Sequence, residues 1–188
     1  MAVILLLVSG MPLGGGVVGA AETAGLSTTS GSASYLTGGG AVVVDPQVTV
    51  SGDDIDGAQV LIVDAKAAGD ELTWDTTVAT NNGVSGTYDS NSGVLTFTAD
   101  GESVSATAMQ AVLRTVAYYN TGDPGDTDRT VRFVLGDKPY YSGTDHVYDP
   151  VVGQFTWTEA RDAPGTYYGQ NGYLVTITSE GENDFVAG

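Results

Sequence analysis

The middle of the chain alternates apolar and polar residues with a period of two, the signature of half-buried strands. Ala41-Val42-Val43-Val44 ends at Asp45-Pro46, and Val48 and Val50 then alternate with Thr49 and Ser51. Val60-Leu61-Ile62-Val63 is a β-branched run between acidic turns. Residues 84–88 and 94–98 flank Asp89-Ser90-Asn91-Ser92-Gly93, a turn-forming loop, so they predict a hairpin with Leu95 and Phe97 facing inward. Residues 115–120 and 130–135 predict another pair, in which Val131, Phe133 and Leu135 share one face and Arg132 points out. One short helical turn is expected between the hairpin and this pair, within 105–113. Seven or eight short strands at this spacing predict a β-sandwich of about 100 residues.

Both ends of the chain read differently. Residues 1–21 carry no charge and hold the apolar run Ala2-Val3-Ile4-Leu5-Leu6-Leu7-Val8, with small residues at Val18-Gly19-Ala20, the pattern of a secretory leader. Residues 22–34 are Ser, Thr, Gly and Ala with almost no large apolar side chain, and predict a flexible linker. After Lys138 the pattern changes again. Residues 155–163 have helical spacing, with Thr156 or Thr158 as cap, Trp157, Ala160 and Ala163 on one face, and Pro164-Gly165 as the stop. Residues 172–179 predict a buried strand, and a second helix is expected from Glu180.

Composition narrows the chemistry. Six Lys and Arg against 23 Asp and Glu give a net charge of −17, which repels nucleic acid and anionic lipid. The absence of cysteine excludes disulfides, thiolate nucleophiles and Cys-type metal sites. His146, the single histidine, stands beside Asp145 with no nucleophile motif near it. Glu159 with Asp162 and Glu180 with Glu182 sit too close in sequence to span a glycosidase cleft, and are expected to cap or decorate helices. The tyrosine pairs 118–119, 140–141 and 167–168 are expected to place one member in the core and one toward solvent. The expected class is a secreted or cell-surface, non-enzymatic protein.

The carboxylates cluster. Asp53-Asp54-Ile55-Asp56-Gly57 forms one acidic turn, Asp123-Pro124-Gly125-Asp126-Thr127-Asp128 another, and Asp137 closes the last strand. Calcium takes six to eight oxygens, and such turns supply several at once. Asp53, Asp54, Asp56, Asp126, Asp128 and Asp137 are therefore candidate calcium ligands. Solvated turn residues are the alternative, since Asp favours turns for local hydrogen-bonding reasons.

Two resemblances sharpen this reading. Tyr35-Leu36-Thr37-Gly38-Gly39-Gly40 leading to Asp45-Pro46 and the acidic Asp54-Ile55-Asp56 turn resembles the opening of a bacterial cadherin-like repeat of large surface proteins. Leu113-Arg114-Thr115-Val116-Ala117-Tyr118-Tyr119-Asn120, followed by Arg129-Thr130-Val131-Arg132-Phe133, is similar to that family's two characteristic strands. The resemblance covers about 35–137. It implies an extracellular Ig-like sandwich used in tandem as a stalk or adhesion module, with calcium held near repeat junctions.

Trp157-Thr158-Glu159-Ala160-Arg161, then residues 172–179, then Glu182-Asn183-Asp184-Phe185 resemble the first part of a C-type lectin domain, over about 139–187. That resemblance implies a glycan or surface-protein partner for an incomplete α+β head. The sugar site of the family lies in its second half, so no residue here is assigned as a sugar ligand. Trp157, Leu174 and Ile177 are expected to be poorly packed. A passive structural spacer, and accessory modules of an extracellular hydrolase, are the competing readings.

Overall fold

A computed structural model describes residues 24–64, 66–141, 143–144, 146–148, 156–162, 166–168 and 170–187, together with the backbone course of residues 2–8. The fold is mainly β, as expected, and it divides into two units, one ending at Asp137 and one beginning at Lys138.

The first unit contains β1 (Ala2–Val8), β2 (Gly25–Ser27), β3 (Ser32–Leu36), β4 (Val42–Val43), β5 (Thr49–Ser51), β6 (Gly57–Asp64) and β7 (Asp70–Thr73). It continues with α1 (Thr76–Asn81), β8 (Val84–Asp89), β9 (Val94–Ala99), α2 (Ala106–Leu113), β10 (Ala117–Asn120) and β11 (Arg129–Leu135). One sheet has the order β3-β1-β11-β6-β9-β8, a second β4-β10-β7, and β2 pairs with β5. Every pairing is antiparallel except β1 with β11. The sandwich-like core takes side chains from both larger sheets. Val60, Leu95, Phe97, Val131 and Phe133 come from one, Leu72 and Tyr118 from the other, all 0–1% exposed. Tyr35 meets Tyr118 edge-on at 5.0 Å between ring centroids, a contact that joins the two sheets.

The inward alternation of Leu95 with Phe97 and of Val131 with Phe133 is as predicted. Three local readings change. The turn within 105–113 is a two-turn helix, α2, because Ser105 caps it by accepting the Ala108 N–H at 3.2 Å, and Met109, Val112 and Leu113 bury one face. Helix α1 was not foreseen; its cap is Asp75, whose Oδ1 accepts the N–H groups of Thr77 (2.9 Å) and Val78 (3.0 Å).

The linker expected over 22–34 is corrected from residue 24 onward. Ala24 is buried, β2 and β3 are paired strands, and Thr29 is fastened to the fully buried Asp45 carboxylate by its N–H (2.8 Å) and its hydroxyl (2.9 Å). Composition misled here because the anchors are tertiary partners. Residues 9–21 of the expected leader lie outside the described residues, and residues 2–8 form β1.

The second unit contains β12 (Tyr140–Tyr141), β13 (His146–Val147), α3 (Trp157–Asp162), β14 (Thr166–Tyr167), β15 (Gln170–Asn171) and α4 (Glu180–Ala187). Thr156 and Glu159 form a reciprocal capping box at the start of α3. The Glu159 N–H donates to Thr156 Oγ1 at 3.3 Å, and the Thr156 N–H donates to Glu159 Oε2 at 2.8 Å. The buried strand expected over 172–179 is a correction: residues 172–178 belong to no strand, and Tyr173 (64%), Leu174, Val175 and Ile177 are exposed. An apolar extended run is buried only between partners, and the unit's described sheets are two two-stranded ribbons. Trp157, 67% exposed, packs poorly as expected. In the tyrosine pairs, Tyr118 and Tyr140 are buried and Tyr119 and Tyr141 half-buried.

Candidate functional site

The six candidate calcium ligands fall at opposite ends of β11. Asp126 and Asp128 precede that strand and Asp137 follows it. Seven residues at about 3.3 Å each separate the two groups by roughly 20 Å, so no single ion reaches both.

At the far end, β6 begins where β9 and β11 finish. Gly136 donates its N–H to the Gly57 carbonyl at 2.7 Å, and Ala99 donates to the Asp56 carbonyl at 2.8 Å. Asp56 and Asp137 therefore flank one backbone junction. Gly57 is required there, because a Cβ would collide with the Phe97 carbonyl oxygen and come within 2.8 Å of the Asp137 Cβ. Asp137 Oδ1 is buried with no hydrogen-bond partner. Asp53 and Asp54 are exposed; Asp54 has a left-handed backbone (φ 55°) and accepts the Ser103 hydroxyl at 3.3 Å. Among the described residues no group of three or more His, Asp or Glu side chains converges on a point that would hold a metal.

A second polar constellation escaped the sequence reading. Asp70 and Arg129 are both buried and meet at 2.7 Å, Nε to Oδ2. The rest of the guanidinium donates to the carbonyls of Thr127 (2.6 Å) and Pro124 (2.7 Å). Asp70 also accepts the Ala67 N–H (2.7 Å), the Asn120 side-chain amide (2.7 Å) and the Tyr118 hydroxyl. The Tyr35 hydroxyl bridges to the Asn120 backbone, donating to its carbonyl at 3.2 Å and accepting its N–H at 3.3 Å.

Burial alone would push the Asp70 carboxyl up, but hydrogen bonds from Ala67, Tyr118, Arg129 and Asn120 outweigh it and hold it below the ordinary carboxylate value. Burial and the Asp70 carboxylate push the Tyr118 phenol up. Every charge here already has a partner, so the cluster acts as a clasp between β7, β10 and β11 and has no coordination left for a substrate. The loop 121–128 is tethered by the same arginine, which fixes the shape of the stretch carrying Asp126 and Asp128. Asp70 reads in sequence as one more turn aspartate; only its meeting with Arg129, 59 residues away, reveals it.

In the second unit Glu182 is buried and its carboxylate accepts the Thr178 N–H (2.8 Å) and the Tyr148 hydroxyl (2.7 Å). These bonds, the Thr178 N–H first, hold its carboxyl below the usual range. Tyr141 stacks on Phe185 at 5.1 Å. Glu159 caps its helix, as expected, whereas Glu182, expected to cap or decorate the helix surface, is buried. Among the described residues no helix is long and apolar enough to cross a membrane.

No family model and no solved structure matches the chain. The chain is 38% identical over 180 residues to a halomucin from Haloquadratum walsbyi. That match covers 88% of the chain, about 165 residues and hence more than the first unit alone, so it includes residues of both units. The chain spans about 2% of the length of that halomucin, and the similarity is compatible with a cell-surface or extracellular role.

Proposed function

We propose that the chain is a segment of a secreted or cell-surface binding protein that carries out no catalysis itself. Its first unit serves as a cadherin-like spacer and its second as a lectin-like recognition segment for an extracellular glycan or surface protein. The observation that carries the extracellular part of this reading is the halomucin match, which includes residues of both units; the spacer and recognition parts rest on the two motif resemblances in the sequence. Support also comes from the strongly acidic composition and from titratable groups engaged in caps and in the clasp.

Calcium is the proposed stabilising ion, at the Asp56–Asp137 end of the first unit. The buried, unpartnered Asp137 Oδ1 favours this end, because a carboxylate oxygen withdrawn from water without a donor is costly unless a cation reaches it. Asp126 and Asp128, both exposed, have no comparable feature.

The test is retention of the whole chain on immobilised extracellular glycans and on cell envelopes, in calcium and in EDTA. Calcium-dependent retention is expected. Absence of retention on every surface contradicts the recognition role and leaves the passive spacer, a reading that the separation of the aspartates into two ends also favours.

A further inference from the structure

Apolar exposure is concentrated in one place. Of the nine large apolar side chains exposed among the described residues, seven belong to the second unit, and four of these fall within residues 173–177. The backbone of the same stretch is unpaired: among the described residues no backbone–backbone hydrogen bond reaches residues 172–177. Side chains nevertheless hold both ends of the run. The Tyr173 hydroxyl lies 3.1 Å from His146 Nε2, and the Thr178 N–H donates to the buried Glu182 carboxylate at 2.8 Å. The run is thus a tethered edge with free donors and acceptors, a template for another strand.

Its sequence fits that part. Tyr173, Val175 and Ile177 alternate with Leu174, Thr176 and Thr178, the period of a strand. Residues 163–179 contain no charged side chain. In a chain of net charge −17, this is a stretch on which two copies meet without setting carboxylates opposite each other.

We infer that residues 173–177 form a self-pairing edge, on which a second copy of the chain adds the same run antiparallel. The occupant is a second copy because the pattern complements itself. With Val175 on the two-fold axis, Tyr173 faces the partner's Ile177 and Val175 faces the partner's Val175, so one face of the pair is wholly apolar. A register shifted to put Thr176 on the axis would instead set Tyr173 against Ser179, outside the apolar run. An isologous contact of this kind closes at a dimer.

The experiment is sedimentation equilibrium of the whole chain across the micromolar range, in salt sufficient to screen its net charge. The expected mass rises with concentration from one copy toward two. Val175→Lys, which brings two like charges together on the axis, should hold the chain at one copy. Leu36→Lys, at an exposed apolar position of the first unit, should leave the rise intact. The chain has no native cysteine, so Val175→Cys should give a disulfide-linked dimer on oxidation. Directly opposite residues of an antiparallel pair stand about 4.5–5.5 Å apart, within disulfide reach. Leu174→Cys should link far less, because its counterpart lies diagonally at about 7–8 Å. A single-copy mass throughout, a rise that Val175→Lys leaves unchanged, or equal linking at 174 and 175 each overturns the inference. The first of these results would leave the edge to a strand of a different protein.

Discussion

Arg129 and Asp70 face each other at 2.7 Å with side chains 1% and 0% exposed, joining the first residue of β11 to the first residue of β7. Such a pair adds little net stability over a well-packed apolar pair, because both ions are desolvated, but removing one member strands the other. Arg129→Met should therefore destabilise the first unit by about 3–5 kcal/mol, read by urea unfolding. Adding Asp70→Leu should restore only part of this, since Tyr118 and Asn120 would then lose their acceptor. Full restoration in the double variant would mean that the wider network contributes nothing.

Asp70 also sets a pH limit. Its folded carboxyl lies below the ordinary value of 3.8, so its contribution is fully present above that value and lost as pH falls through it toward the lower folded value. Unfolding free energies of the parent and Asp70→Asn should differ at neutral pH, and the difference should shrink progressively as pH falls below about 3.8. A difference that persists undiminished into acid would remove the carboxylate from the explanation.

The alkaline limit has the opposite sign. Burial first, and then the carboxylates of Asp70, Glu71 and Asp89, push the Tyr88 phenol up to about 12, and Tyr118 moves the same way. Stability from these phenols is complete below their ordinary value of 10.0 and is lost as pH rises toward the folded values. Phenolate absorbance should show a late phase, beyond the ordinary value of 10.0, that coincides with loss of tertiary signal. A single unperturbed titration in the folded chain contradicts this.

Gly57 is held by close approach. Gly57→Ala should cost about 1–3 kcal/mol or more from overpacking, whereas Gly101→Ala, where a Cβ meets nothing within 4 Å, should change stability by less than about 0.5 kcal/mol. Equal effects in a paired denaturation experiment would remove the close contact as the cause.

Local patterning explains what the sequence disclosed. Alternation at Leu95/Phe97 and Val131/Phe133 marks an inward face without knowledge of the partner strand. Capping is equally local: Thr156 and Glu159 stand three residues apart. What stayed hidden depends on distant partners. Thr29 looks like linker until Asp45 is seen to hold it, and the bridging role of Tyr35 shows only when its hydroxyl meets Asn120, 85 residues away. The acidic turns looked alike in sequence, yet β11 sets them at opposite ends. Residues 172–178 carry a strand's composition, but their burial would depend on neighbouring strands that no residue pattern supplies.

The stabilising ion is tested most directly by melting the whole chain in excess EDTA, in millimolar calcium and in millimolar magnesium at one fixed ionic strength. A ligand at about one hundred times its dissociation constant adds about 2.7 kcal/mol, several degrees for a unit of this size. The account predicts a calcium-specific rise that Asp137→Asn abolishes and Asp126→Asn leaves intact. Identical melting temperatures in all three conditions would contradict it.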